Sequence, residues 1–114
     1  MKWPNDLLLD GKKLAGVLTE PGFSQGLPSG QVTTVSWVIV GVGLNVNLDF
    51  TSVAIRHARP ALADSATSLA MVLGRRVSRL RLLQAYLSHV EIRYKALRAG
   101  HSPHQEWASR MVTL

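Results

Sequence analysis

The chain has no cysteine, which excludes disulfides and thiolate metal sites. It has no run of uncharged apolar residues long enough to span a bilayer: the most apolar stretch, residues 35–46, is short and broken by Gly41 and Gly43. The start has no signal-peptide pattern, because Lys2 is followed at once by Trp3, Pro4, Asn5 and Asp6 rather than by an apolar segment. A cytoplasmic location is therefore expected. Neither G-x-G-x-x-G nor G-x-x-x-x-G-K-[ST] occurs, so the common phosphate-binding fingerprints are excluded. Ser24, Ser29 and Ser36 have no convincing base and orienting acid, which argues against a hydrolytic triad. His57, His89, His101 and His104 are scattered, and the three-residue spacing of the last two makes no metal site without further ligands. Aromatics are sparse, and Trp37, inside an apolar run, fits a core better than a stacking platform.

Acidic residues are also few. Seven Asp and Glu stand against thirteen Lys and Arg, a net charge of +6 and a pI near 10.6. Such a balance suits nucleic acid, an anionic membrane surface, or an acidic protein or nucleotide. The arginines at 75, 76, 79, 81, 93 and 98, with Lys95, are interleaved with leucines at helical spacing, which is the solvated face of an amphipathic helix rather than a nucleic-acid patch. At 114 residues the chain is long enough for one domain with a core.

Leu7-Leu8-Leu9 ends at Asp10-Gly11, and Asp-Gly between apolar segments is a strong hairpin signal because Gly tolerates the positive φ that a tight turn needs. Residues 14–20 make the returning strand, stopped by Pro21. Residues 21–30 are a loop. Residues 31–42 are β-branched and apolar on both faces, which predicts a central strand covered on both sides and ended by Gly41 and Gly43. Residues 48–63 have no period. A short helix is expected over 65–73, closed by Gly74. A longer one is expected over 79–99, capped by Ser78, with Gly100 past its end and Leu80, Leu83, Leu87, Val90, Tyr94 and Leu97 as its apolar stripe. Ser102-Pro103-His104-Gln105 fits a capping box with Pro at the first helical position. Strands 6–47 followed by helices 65–110 predict an α+β domain, an antiparallel or mixed sheet with helices on one face.

Several residues carry chemistry when taken together. Lys2 precedes Trp-Pro, whose extended backbone can present the amine to a phosphate as a point charge; alone it could equally be a frayed residue. Asn5-Asp6 beside Pro4 is also an ordinary turn. Lys13 follows the Asp-Gly turn and, like Lys12, could be only a solvated turn lysine. Gly16 lies inside a strand that glycine weakens, unless a ligand or another strand lies against its bare backbone. Asn45, after Gly-Val-Gly, can offer its amide to a purine edge or a phosphate, or simply cap a strand end. Two or three amines, one carboxylate and several amides suit a site that binds a phosphorylated nucleotide and handles a carboxyl group.

Lys2-Trp3-Pro4-Asn5-Asp6-Leu7, then Lys13-Leu14-Ala15-Gly16-Val17-Leu18 with Glu20, then Val42-Gly43-Leu44-Asn45-Val46-Asn47, resemble the catalytic domain of biotin protein ligases in order and spacing. Weaker features agree: Ala66-Thr67-Ser68-Leu69 opening a helix, a long helix, and a Trp near the end. The resemblance implies an incomplete class II aminoacyl-tRNA synthetase-like fold. It implies an ATP-dependent, AMP-forming reaction with Mg2+ in which biotin becomes biotinyl-5'-AMP and is passed to a lysine of a biotin carboxyl carrier domain, with no nucleic acid or membrane involved and a homodimer left open. By motif, Lys13 would contact the biotin carboxylate and the α-phosphate, Lys2 the ATP phosphates, and Asp6 with Asn5 the acceptor lysine. Asn45 would read the adenine or support the nucleotide, and Gly16 would let the ligand lie on the strand. No metal-ligating residue is assigned.

The family's Gly/Arg-rich biotin loop and its C-terminal small β-barrel have no counterpart in these residues, so residues 1–114 are expected to be the second half of a catalytic domain, of low activity alone. An open sheet edge, exposed apolar surface and self-association are expected with it. The alternative is a non-catalytic module, derived from a ligase, that binds a nucleotide or a carrier protein.

Overall fold

The computed structural model describes residues 1–2, 5–23 and 35–112. Trp3, Pro4, Ser24, Ser29, the loop over 24–30 and the expected strand residues 31–34 lie outside the described residues. Three strands form one antiparallel sheet in the order β1 (Asp6–Leu9), β2 (Lys12–Phe23), β3 (Val35–Leu44). Five helices follow: α1 (Val53–Ala58), α2 (Pro60–Ser65), α3 (Leu69–Leu73), α4 (Arg79–Arg98) and α5 (His104–Ser109). This is the expected α+β order, with the sheet antiparallel throughout.

The β1–β2 hairpin turns at Asp10-Gly11, with φ of 50° and 76°. Two successive positive φ values are the primed turn whose twist matches that of the strands. Pro21 does not stop β2, which runs on to Phe23 paired with β3. The reason is parity. Val17 donates its N–H toward the β1 side, to the Asn5 carbonyl at 2.9 Å, and Pro21, four residues on, faces the same side beyond the end of β1. There a missing N–H costs no ladder bond.

β3 corrects the sequence reading most. Gly41 and Gly43 do not end it; they lie inside it, paired with Leu18 and Gly16. Nor is it a covered central strand. It is the last strand of the sheet among the described residues, and Trp37, Ile39 and Val40 are all more than half exposed. Trp37 is thus not core: its indole lies over Gly22 of β2, where an added Cβ would come within 2.0 Å of the ring.

Residues 48–63, expected to be irregular, contain α1 and α2, and Pro60 opens α2 where its missing N–H is tolerated. The helix expected over 65–73 is split. Ala66 is extended, and helix resumes only at Leu69, with the Ser68 hydroxyl accepting the Met71 N–H and Gly74 closing it at φ 64°. α4 matches its expected span, with Ser78 as cap. At α5 the Ser102 hydroxyl accepts the His104 N–H at 3.3 Å, two residues on. Pro103 is therefore the flanking residue and the capping box does not form.

The core is small. Among the described residues Ala15, Phe50, Ala63 and Ala66 are its buried apolar members, with Thr67 and Ser68 beside them. It sits where β2, the end of β3 and the α2–α3 junction meet. The α4 stripe, from Leu80 to Leu97, is exposed along its length. The Cα radius of gyration is 18.1 Å, against about 13 Å for a compact chain of ~100 residues. No helix among the described residues is long and apolar enough to cross a membrane.

Candidate active site

The motif residues converge on the start of β2. Lys13 Nζ lies 2.6 Å from Asp6 Oδ1, an ion pair across the hairpin. The lysine side chain is half exposed and the carboxylate about a quarter exposed. A pair this open contributes at most about 1 kcal/mol; what it fixes is orientation. Gly16 lies beneath. A Cβ there would meet Lys13 Cε and Nζ at 3.6 Å and Asp6 Oδ1 at 3.8 Å, so the bare backbone forms the floor on which the two charges rest. Gly43 is paired with Gly16, which continues that side-chain-free floor onto β3.

Lys2 and Asp6 exchange backbone hydrogen bonds of 2.8 and 3.0 Å, which hold Lys2 at the edge of the same region. Lys2, Asn5 and Asp6 line a cleft of ≈ 480 Å³ together with Leu7, Trp107 and Met111. The far end of the chain reaches this cleft because the Val112 N–H donates to the Met1 carbonyl at 2.8 Å. Asp6 therefore borders the cleft on one side and holds Lys13 on the other. Lys12 makes no ion pair among the described residues, as befits a solvated turn lysine.

Asn45 stands behind Lys13. Its Nδ2 donates to the Lys13 carbonyl at 3.4 Å and its backbone N–H to the Leu14 carbonyl at 3.0 Å. Its own carbonyl accepts the Leu69 N–H at 3.0 Å. Asn47, two residues on, pairs both ways with the Val77 backbone at 2.9 Å and fixes the approach to α4.

Two contributors stand among the weaker features of the resemblance and carry no assigned role. Thr67 is buried, and its N–H donates to the Lys13 carbonyl at 2.9 Å, part of a parallel bridge between Lys13 and Ala66. The only trace of this in the sequence is the small run Ala66-Thr67-Ser68, which suits a crowded junction. Trp107 enters the cleft from α5, and its place depends on contacts about a hundred residues apart. The four histidines are exposed, and no group of three or more His, Asp or Glu among the described residues is arranged to hold a metal ion.

The structure thus brings Asp6, Lys13 and Gly16 together, with Asn45 bracing the Lys13 backbone, while Lys2 and Asn5 line the neighbouring cleft, which Asp6 borders and Lys13, Gly16 and Asn45 do not line.

Residues 1–45 match the Biotin/lipoate A/B protein ligase family. The bifunctional ligase/repressor BirA of Bacillus subtilis is 37% identical over 98 residues, covering 83% of this chain and 26% of BirA. The same protein of Bacillus spizizenii gives the same figures. The apo structure of biotin protein ligase from Aquifex aeolicus superposes with a TM-score of 0.64 at 27% identity, over 98% of this chain and 43% of that one. The chain spans about a quarter of the length of the curated relatives it matches. Together, the family match, the BirA relatives and the biotin protein ligase structure support reading the chain as a fragment similar to part of a biotin ligase domain.

Proposed function

We propose that the chain carries one side of the site of a biotin protein ligase, which joins biotin to a lysine of a biotin carboxyl carrier domain through biotinyl-5'-AMP. The observation that carries this is the Lys13–Asp6 pair on the Gly16 floor. Biotin's carboxylate and the α-phosphate of ATP are both anions, so a cation must lie between them. In the first step a carboxylate oxygen attacks the α-phosphorus and pyrophosphate leaves; Lys13 offsets the charge gathering on the phosphoryl oxygens. In the second, an acceptor amine attacks the carbonyl of the mixed anhydride, AMP leaves and the amine loses a proton. Asp6 is placed to take or orient that proton once Lys13 has turned to the anion. Lys2 and Asn5 serve the phosphates and the acceptor from the cleft, and Asn45 the nucleotide side. Among the described residues no group of three or more His, Asp or Glu is arranged to hold Mg2+. Residues 1–114 as part of a catalytic domain, a cytoplasmic place of action and homodimerisation belong to the same reading.

Calorimetric titration with ATP, with biotin and with a non-hydrolysable biotinyl-adenylate analogue tests it. The ligase reading expects the analogue to bind more tightly than either substrate alone. Nucleotide binding with no response to biotin or to the analogue would show a non-catalytic module instead.

A further inference from the structure

The hairpin that carries Lys13 is irregular at one point. Leu7 pairs with Ala15 and Leu8 with Lys13, so Leu14 is an extra residue on β2, a one-residue bulge. Its consequence is one of phase. Asp6 and Leu8 are two apart on β1 and share a face. Because Leu8 pairs with Lys13, Lys13 shares that face with Asp6 and with Gly16, the partner of Asp6. In an unbroken ladder Leu8 would face Leu14, and Lys13, three residues from Gly16, would point to the opposite side. The 3.6 Å approach of Lys13 Nζ to the Cβ position of Gly16 reports the shifted phase.

A bulge takes backbone groups out of the ladder, and buried polar groups need partners. Here the two carbonyls at the bulge are met from outside the hairpin. Asn45 reaches both, with its N–H on Leu14 and its side-chain amide on Lys13; Thr67 supplies a second donor to Lys13. Asn45 is held in turn by Leu69.

We propose that the Leu14 bulge is a positioning device that turns Lys13 onto the Asp6 face, and that Asn45 is the positioning residue that holds it, acting through the Lys13 backbone. The geometric part stands on the hairpin alone; the kinetic part rests on the ligase reading of Lys13.

The test uses the full 114-residue chain and NMR. Inserting one valine between Leu7 and Leu8 gives the bulge a partner and makes the ladder regular. The hairpin should persist while nuclear Overhauser contacts from the Lys13 side chain to Gly16 disappear. Deletion of Leu14 also makes the ladder regular but leaves Lys13 opposite Leu8, so there the contacts should survive. Persistence of the Lys13–Gly16 contacts in the insertion variant overturns the proposal. Asn45→Ala should speed exchange of the Thr67 amide by about tenfold, the scale of one lost neutral hydrogen bond; unchanged exchange contradicts the role of Asn45. In adenylate formation Asn45→Ala should lower kcat, whatever it does to the KM for ATP, whereas a raised KM at constant kcat would make Asn45 a nucleotide contact only. Failure of the unaltered chain to bind a non-hydrolysable biotinyl-adenylate analogue would count against the ligase reading and leave the NMR result to decide the bulge.

Discussion

Single residues here act mainly through what they leave uncovered. Gly16 tolerates a methyl group at ordinary contact distance from Lys13 and Asp6, so Gly16→Ala should fold, while Gly16→Val should push the ion pair apart. Gly22 is different, because an added Cβ would overlap the Trp37 indole. Gly22→Ala is expected to destabilise the β2–β3 pairing by about 1–3 kcal/mol, and adding Trp37→Ala should recover part of that loss, as for any two residues in contact. Thermal melts of the two single variants and the double variant check this; strict additivity contradicts it. The motif residues were legible because their order and spacing resemble those of biotin protein ligases, and the one tight turn that joins Lys13, Asp6 and Gly16 is announced by Asp10-Gly11. Leu14 was not legible as a bulge. Nothing in its side chain marks it, since the irregularity comes from the partners its carbonyl finds on Asn45.

At the scale of elements, local signals were read well and long-range ones poorly. The hairpin, Ser78 as cap of α4 and the Gly74 stop all depend on neighbours in sequence. The split between α2 and α3 does not: it exists because Ala66 and Thr67 are drawn out to pair with Lys13. Ser68 secures the split by accepting the Met71 N–H and donating to the Leu48 carbonyl at 2.6 Å. Ser68→Ala should cost about 1–2 kcal/mol, measured by urea unfolding, and a change near zero would show that the junction is held otherwise. α5 is tied to α4 by Glu106, which takes a two-point contact from Arg93 and a further bond from Arg110 at 2.9 Å. Hydrogen bonding from Arg93 holds the Glu106 carboxyl below its usual range. A lowered folded value means the contact contributes fully above the unfolded pKa of about 4.3 and is lost as pH falls through the folded value. The Glu106 carboxyl carbon shift should therefore be steady from neutral pH down to that range and move only below it. Release of α5 near pH 6 would contradict this.

The whole molecule presents a site assembled on one side and a large apolar surface that no described element covers. β3 runs from Val35 to Leu44 without a charged residue, and the α4 stripe is likewise open. An unguarded edge of this kind invites pairing. Sedimentation velocity should show mass rising with concentration; a sharp monomer at all concentrations contradicts that reading of the surface. The apolar pattern of β3 was plain in the sequence, but which neighbour would cover it was not, because pattern records that a face wants burial and not what buries it. Lys13 carries the ligase reading, and the affinity of a non-hydrolysable biotinyl-adenylate analogue for the unaltered chain and for Lys13→Ala decides it. Loss of one charge-assisted contact should weaken binding by about ten- to a hundredfold, and equal affinity for the two would contradict the assignment of Lys13 to the site.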